Sequence, residues 1–259
     1  MRNRLIGLIT LATLSAPALG IITTGDGLDL GERTFVGQFR SGTAVAVGER
    51  WVITAGHVGY RPGSSVILNG ERYDTERAVP VPGADLMLIQ TSRNLPGYHG
   101  LADGVDRGDR VILKGTGLVA GEGDGSSIDW SGRRASLAGE NVIEGFHNGR
   151  LAIRFDAGRD ALPNEATFAK HDSGSGLFIE NTDGTLSLAG IAVGATGRFG
   201  QTRVGSLGIA EQISSSDRWL NAFFEAEQVL GIDELSAVPT PGTLGVLALG
   251  AGLAARRRR

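Results

Sequence analysis

Short apolar or alternating runs, separated by Gly and Asp, make up the middle of the chain. Their length and alternation are typical of β-strands, and few of them carry helical spacing. They occupy residues 34–39, 43–47, 51–54, 65–68, 86–90, 110–114, 151–155, 176–180 and 186–193. Between the last two runs, Asn181-Thr182-Asp183-Gly184 has the composition of a hairpin turn. The pattern therefore predicts an all-β barrel or sandwich.

One helix is predicted near the end of this strand-rich region. Trp219, Leu220, Phe223 and Phe224 recur on one face at helical spacing. The serines at positions 214–216 offer an N-cap, and Asp217 suits the first turn.

Composition narrows the class of protein further. The chain of 259 residues has 41 glycines and no cysteine. The absence of cysteine excludes a disulfide scaffold, a thiolate metal site and a cysteine nucleophile. The four histidines also lack metal-ligand spacing, so no metal and no cofactor is expected. The glycines are expected in turns between short strands.

The first twenty residues have the pattern of a secretory signal peptide. Arg2 and Arg4 precede an apolar run over residues 5–14, and a small-residue segment ends at Gly20. Cleavage after Gly20 or after Ala18 fits this pattern. The alternative is an uncleaved anchor, although the apolar run is too short to span a bilayer.

Residues 231–259 are interpreted as a linker and a sorting tail. Val238-Pro239-Thr240-Pro241 precedes a glycine-rich apolar stretch and four terminal arginines. This order resembles the PEP-CTERM sorting signal of Gram-negative bacteria, although Thr240 stands where that signal usually has Glu. The resemblance implies export, transient anchoring in the inner membrane and removal of the tail by an exosortase, leaving the protein secreted or at the cell surface. An ordinary weak tail anchor is the alternative.

The charge balance changes when both ends are set aside. Six of the 25 basic residues lie in the two ends, so residues 21–237 carry 19 basic and 28 acidic residues, a net charge of about −9. An acidic surface disfavours nucleic acid as a partner, because phosphates need a basic face.

Three segments carry candidate chemistry. The first is an apolar run, Trp51-Val52-Ile53-Thr54, that continues into Ala55-Gly56-His57. In the second, Asp85 directly precedes the apolar run over residues 86–89. The third sets a serine in a glycine-rich turn, His171-Asp172-Ser173-Gly174-Ser175-Gly176. An acid before a buried strand needs a hydrogen-bond donor, and a histidine N–H is suitable. Taken singly, each segment also fits a bland interpretation: a surface histidine, an acid at a strand start, and a simple turn.

Together, the contexts and the order of these segments resemble the trypsin/chymotrypsin-like serine proteases. Further similar segments are Ser41-Gly42-Thr43-Ala44-Val45, Lys114-Gly115-Thr116-Gly117 and the strand over residues 188–194. The resemblance covers residues 34–224. It implies two six-stranded antiparallel β-barrels, over residues 21–107 and 108–230, with the active site between them and a closing C-terminal α-helix.

The resemblance also assigns roles to residues. It implies a serine endopeptidase that hydrolyses protein or peptide substrates through an acyl-enzyme, with His57, Asp85 and Ser173 as the catalytic triad. The backbone N–H groups of His171 and Ser173 would form the oxyanion hole. The alternative function is a degenerate binding protein that keeps the fold without activity.

The chain departs from the family pattern at several positions. His171 stands where the family usually has Gly, which restricts the backbone of the oxyanion hole. Thr167, with Val193 and Gly194, is expected in the specificity pocket; because Thr167 replaces the acid of trypsin-like members, a small or apolar side chain is the expected preference. Activation by a new N-terminus at Ile21, paired with Asp172, remains a hypothesis, because Thr23 and Thr24 replace the usual glycines.

Overall fold

The computed structural model describes residues 21–118, 127–198, 200–214 and 217–230. The predicted signal peptide over residues 1–20 and the predicted linker and tail over residues 231–259 lie outside these residues. Within the described part of the chain, no helix is long and apolar enough to cross a membrane.

Sixteen strands and one α-helix make up the described residues, with short 3₁₀ turns between some strands. In chain order the strands are β1 (Ile22–Thr23), β2 (Val36–Phe39), β3 (Gly42–Gly48), β4 (Trp51–Ala55), β5 (Ser65–Leu68), β6 (Glu71–Pro80), β7 (Leu86–Thr91), β8 (Arg110–Gly115), β9 (Ser127–Asp129), β10 (Leu137–His147), β11 (Arg150–Arg154), β12 (Ala166–Thr167), β13 (Gly176–Glu180), β14 (Leu186–Ala195), β15 (Gln201–Arg203) and β16 (Leu207–Gln212). The helix α1 spans Arg218–Leu230.

Twelve of the strands close into two antiparallel six-stranded barrels. The first barrel has the order β2-β3-β4-β7-β6-β5, and the second has the order β10-β11-β16-β14-β13-β8. The predicted fold class is therefore confirmed. The four remaining strands form two short ribbons, β1 with β12 and β9 with β15.

Buried apolar side chains fill the interiors of the two barrels. In β4 all five residues are buried, and in β3 only the last residue is partly exposed. The first barrel packs around side chains such as Phe39, Ile53 and Leu88, and the second around Leu113, Ile143 and Leu177. Because the chain has no disulfide, apolar packing and the strand hydrogen bonds hold both barrels together.

The predicted hairpin turn lies where expected, between β13 and β14. The amide of Asn181 donates to the carbonyl oxygen of Thr185 at 2.8 Å, and Gly184 has a φ of 79°. A glycine there accepts this left-handed backbone without steric cost.

The predicted helix is present, but Asp217 has a different role from the one expected. Asp217 precedes the helix, and its Oδ1 accepts the amide hydrogen of Leu220 at 2.9 Å, so it is the N-cap and not a residue of the first turn. Of the serines proposed as the cap, Ser215 and Ser216 lie outside the described residues. Leu220 and Phe223 are buried against the first barrel, and Phe223 meets Trp51 edge to face with 4.9 Å between ring centroids.

Candidate active site

The ends of strands from both barrels bring the three predicted residues together. His57 follows β4 and Asp85 precedes β7, and these two strands are paired neighbours in the first barrel. Ser173 lies in the turn that precedes β13 of the second barrel. A strand end with a buried, fixed backbone can present a side chain into the space between two barrels, which explains why loops at strand ends carry all three.

A continuous chain of hydrogen bonds links these side chains. The Ser173 hydroxyl lies 2.7 Å from His57 Nε2, and His57 Nδ1 lies 2.7 Å from Asp85 Oδ2. An ionised carboxylate only accepts, so His57 Nδ1 carries the hydrogen and Nε2 is free to accept the hydrogen of Ser173. The second carboxylate oxygen, Asp85 Oδ1, accepts the backbone N–H of His57 at 2.8 Å. Side-chain and main-chain bonds to one carboxylate therefore fix the orientation of the imidazole.

The turn around Ser173 is tightly constrained. The amide of Gly174 donates to Ala192 at 2.8 Å, and the carbonyl oxygen of Ser173 accepts from Thr43 at 2.8 Å. Gly174 has a φ of 92°, and a Cβ at this position would overlap the carbonyl oxygen of Thr43. Only glycine allows the first barrel to approach this closely.

His171 adopts the backbone conformation that a glycine would adopt. Its φ is 74°, and its ring Nδ1–H donates to the carbonyl oxygen of Ser41 at 2.7 Å. Partial burial lowers the pKa of this imidazole, which favours the neutral ring. The side-chain bond to Ser41 offsets part of the cost of a left-handed backbone at a non-glycine residue.

Two backbone N–H groups of this turn have no acceptor within the described part of the chain. They belong to His171 and Ser173, whereas the amides of Asp172, Gly174 and Ser175 donate to backbone carbonyl groups. Unpaired donors beside a serine hydroxyl are suited to an oxygen that gains negative charge.

Asp172 lies behind this turn and is fully buried. Its carboxylate accepts the amides of Gly117 and Ala169, each at 2.9 Å, and the hydroxyl of Ser175 at 3.3 Å. Burial, which disfavours the charged form, raises the pKa of Asp172 to about 7 despite these bonds. Asp172 therefore connects the nucleophile turn to Gly117 in the loop after β8.

The polar residues that support the turn were not identified from the sequence. The hydroxyl of Thr43 lies 2.8 Å from that of Thr116 and 3.4 Å from the carbonyl oxygen of His171. The guanidinium of Arg134 donates to the carbonyl oxygens of Gly42 at 2.6 Å and Thr116 at 3.0 Å. Thr43 and Thr116 lie in two segments that resemble the protease family, but the resemblance assigned them no role, and Arg134 lies in no motif.

A cavity of about 360 Å³ opens beside Ser173. Besides Ser173, His57 and His171, its lining includes Trp130, Phe168, Ala169, Ala192, Gly194 and Ala195. Of the three predicted pocket residues, Gly194 lines this cavity and the other two do not.

Thr167 and Val193 lie elsewhere for packing reasons. Thr167 is buried in β12, where it pairs with Ile22 of β1, and its neighbour Phe168 faces the cavity instead. Val193 packs against a hydrophobic cluster that includes residues of both barrels. Because side chains alternate along a strand, neighbours of the predicted residues reach the cavity. Trp130, held by a 2.9 Å bond from its indole N–H to Thr202, was not predicted.

Metal binding has no visible support at this site. Among residues 21–118, 127–198, 200–214 and 217–230, no group of three acidic or histidine side chains is placed to hold an ion.

The comparison with solved structures supports this fold. No protein-family model and no curated protein sequence matches the chain. Among solved structures, one similar protein is mouse neuropsin, described as a serine protease expressed in the limbic system of the brain. It superposes with a TM-score of 0.60 at 17% sequence identity, over 79% of this chain and 100% of the neuropsin chain. The chain therefore has a chymotrypsin-like fold, with two six-stranded antiparallel β-barrels and a C-terminal helix.

Proposed function

We propose that this chain is a serine endopeptidase that hydrolyses peptide bonds through a covalent acyl-enzyme. The observation that carries the proposal is the hydrogen-bonded chain from Ser173 through His57 to Asp85, at 2.7 Å for each link. Two amide N–H groups that have no acceptor among the described residues lie beside it. A serine is a poor nucleophile unless an adjacent base takes its proton. This arrangement supplies that base, orients it and provides donors for the oxyanion.

The acylation step follows from this geometry. The Ser173 oxygen attacks the carbonyl carbon of the substrate while its proton passes to His57 Nε2. Asp85 stabilises the resulting imidazolium, and the N–H groups of His171 and Ser173 donate to the new oxyanion. When the C–N bond breaks, His57 returns the proton to the leaving amine, and the acyl group stays on Ser173.

Deacylation repeats the same proton transfers with water. His57 takes a proton from the water as its oxygen attacks the ester carbon. The bond to Ser173 then breaks, and His57 protonates the serine oxygen. The products are a carboxylic acid, an amine and the original enzyme.

Labelling of the serine tests this function. We expect the purified protein to react with an active-site-directed phosphonate at Ser173 and to hydrolyse a denatured protein substrate. Ser175→Ala is a suitable labelling control beside Ser173→Ala, because Ser175 is a fully buried serine two residues away whose hydroxyl donates to Asp172. Lack of both labelling and hydrolysis by the wild-type protein would favour the degenerate binding protein.

The cavity lining supports a preference for an uncharged, apolar side chain next to the cleaved bond. The described residues lining it include no acid, and Phe168, Ala192 and Ala195 present apolar surface. A guanidinium or ammonium group buried there would lack a partner. Peptide anilides that end in Ala, Leu, Phe or Arg test this, and we expect kcat/KM to be more than about tenfold lower for Arg than for the best apolar residue. An Arg preference would contradict the assignment.

We also propose that the chain is exported and processed at both ends. The patterns of residues 1–20 and 231–259 support signal peptidase and exosortase as the processing enzymes, with transient anchoring in the inner membrane and a final location outside the cell. Mass spectrometry of the protein from its own cells tests this. Loss of both terminal segments is the expected result, and an intact chain would contradict it.

Two features of Ile21 support cleavage directly before it. Ile21 is fully buried, and its side chain and the Asp172 carboxylate both lie within 3.0 Å of the position of a Cβ at Gly115. Its φ of 74° is costly for a β-branched residue within a chain. A residue with a free amino group has no φ, so cleavage would remove this strain. N-terminal sequencing that finds another start would contradict the proposal.

A further inference from the structure

Glu211 contacts the main chain of Asp85 from the opposite barrel. The amide of Asp85 donates to Glu211 Oε1 at 3.1 Å. Glu211 lies in β16 of the second barrel, whereas Asp85 lies in the loop before β7 of the first. The Glu211 side chain is only 14% exposed, so this bond is shielded from solvent.

Arg150 holds the same carboxylate oxygen from within the second barrel. Its Nε donates to Glu211 Oε1 at 2.7 Å. Arg150 begins β11, which pairs with β16 in the register Leu151 to Ala210. The Arg150 guanidinium and the strand pairing fix the position of Glu211 within the second barrel, independently of its bond to Asp85.

The other bonds that orient Asp85 come from the first barrel. Gly56 donates to the carbonyl oxygen of Asp85 at 2.9 Å, and the His57 amide donates to Oδ1 at 2.8 Å. These bonds fix Asp85 relative to His57 within the first barrel. Ser173 is tied to the first barrel by Thr43, whose amide donates to the Ser173 carbonyl oxygen at 2.8 Å. The bond to Glu211 is a second tie between the barrels, and it reaches Asp85 itself.

We infer that Glu211 is a positioning residue, which aligns the His57–Asp85 pair with Ser173 by tying the Asp85 main chain to the second barrel. This inference rests on the proposed function. His57 must accept from a serine on a different barrel, so a small shift between the barrels lengthens the 2.7 Å Ser173–His57 bond. Errors of about 1 Å in such alignment cost about 100-fold in rate.

Substitution of Glu211 tests this role. We expect Glu211→Ala to lower kcat by about 10- to 100-fold with little change in KM, because the substrate cavity is not lined by Glu211. Glu211→Gln keeps an oxygen that accepts the Asp85 amide, so it is expected to recover most of the lost kcat. Unchanged kcat in Glu211→Ala would overturn the inference, and so would an equal loss in both variants.

A matched control removes a different ion pair with the second barrel. Glu180 of β13 pairs with Arg33 at 2.6 Å on the surface. Glu180→Ala is expected to keep the wild-type kcat. A loss in this variant as large as that in Glu211→Ala would mean that any weakened ion pair lowers the rate, and would overturn the specific role of Glu211.

A readout without turnover separates this inference from the proposed function. Crystal structures of the wild type and of both variants measure the distance between Ser173 Oγ and His57 Nε2. We expect this distance to stay at 2.7 Å in the wild type and in Glu211→Gln, and to lengthen in Glu211→Ala. An unchanged distance in Glu211→Ala would overturn the inference even if the wild type proved inactive, whereas an inactive wild type with the expected pattern would overturn only the proposed function.

Discussion

At the scale of single residues, the nucleophile turn depends on backbone conformations that most side chains disfavour. Gly174 has a φ of 92° in close contact with Thr43 of the first barrel, and His171 holds a φ of 74° with the help of a bond to Ser41. The first position accepts only glycine because of contact and torsion together. The second accepts a side chain because open space and a hydrogen-bond acceptor lie beside it.

Gly174→Ala should therefore destabilise the protein and inactivate it. The left-handed torsion alone costs about 1–2 kcal/mol for alanine. The overlap with the Thr43 carbonyl oxygen adds to this and pushes the turn away from His57. We expect the free energy of unfolding in urea to fall by more than about 3 kcal/mol, in the range of severe core mutations.

Gly184→Ala is the matched control for this prediction. Gly184 has a φ of 79° in the β13–β14 hairpin, and a Cβ there has nothing within 4 Å. We expect the free energy of unfolding of Gly184→Ala to fall only by the torsional cost of about 1–2 kcal/mol, and its activity to equal that of the wild type. Equal losses in the two variants would show that the contact with Thr43 contributes nothing.

At the scale of elements, the ribbon of β1 and β12 connects the beginning of the described residues to the nucleophile turn. Ile22 pairs with Thr167, four residues before His171. Ile21 thereby lies beside Asp172, the buried acid under the turn. The two-residue strand β1 is enough to hold the backbone at Ile21, because the side chains of Ile21 and Ile22 are both fully buried.

The stability of the chain that still continues before Ile21 should fall as the pH rises. Burial raises the pKa of Asp172 from 3.8 to about 7, so the folded state binds a proton that the unfolded state has already released between these values. Relative to Asp172→Asn, we expect the free energy of unfolding to fall by about 3 kcal/mol between pH 4 and pH 7. Urea unfolding at several pH values measures this.

A chain that begins at Ile21 should behave differently. Its amino group would place a positive charge beside Asp172 and lower the pKa of the carboxyl. The decline between pH 4 and pH 7 should then become smaller. The same decline in both forms would contradict the pairing of Ile21 with Asp172.

At the scale of the whole molecule, His99 links the two barrels. Its ring Nε2 accepts the amide of Phe35 at 3.0 Å, and Nδ1–H donates to the carbonyl oxygen of Leu186 at 3.0 Å. The ring also packs against Phe178 of the second barrel, with 4.6 Å between centroids. Both nitrogens are used in the neutral form, and burial lowers the pKa of this histidine.

Acid should weaken this link. Because the pKa of His99 is lower in the folded state than its ordinary value of 6.5, the unfolded state takes up a proton that the folded state refuses. We expect the free energy of unfolding to fall as the pH drops below about 6.5, with a slope of at most about 1.4 kcal/mol per pH unit from this group. His99→Gln keeps a donor and an acceptor without titrating, and should reduce that slope. His147→Gln, at an exposed position, should leave it unchanged.

The strand-rich class, the late helix, the hairpin at Asn181 and the main apolar strands follow from local periodicity, which is why they could be predicted. β6, β10 and β16 were not identified; exposed polar residues interrupt the apolar pattern in β6, and the buried Glu140 and Asn141 interrupt it in β10. The two ribbons were not identified because two- and three-residue strands have no period to detect. His57, Asp85 and Ser173 could be chosen because each lies in a motif that resembles one protein family.

The sequence by itself indicated the main apolar strands and the three side chains of the candidate site, because both depend on patterns of neighbouring residues. The tertiary structure alone decided how the barrels meet. It placed Glu211 against Asp85, Arg134 under the nucleophile turn, and Phe168 in the cavity instead of Thr167. These contacts join segments up to 126 residues apart. Such pairs depend on barrel closure and on the side of the strand that each residue faces, and no local pattern encodes either.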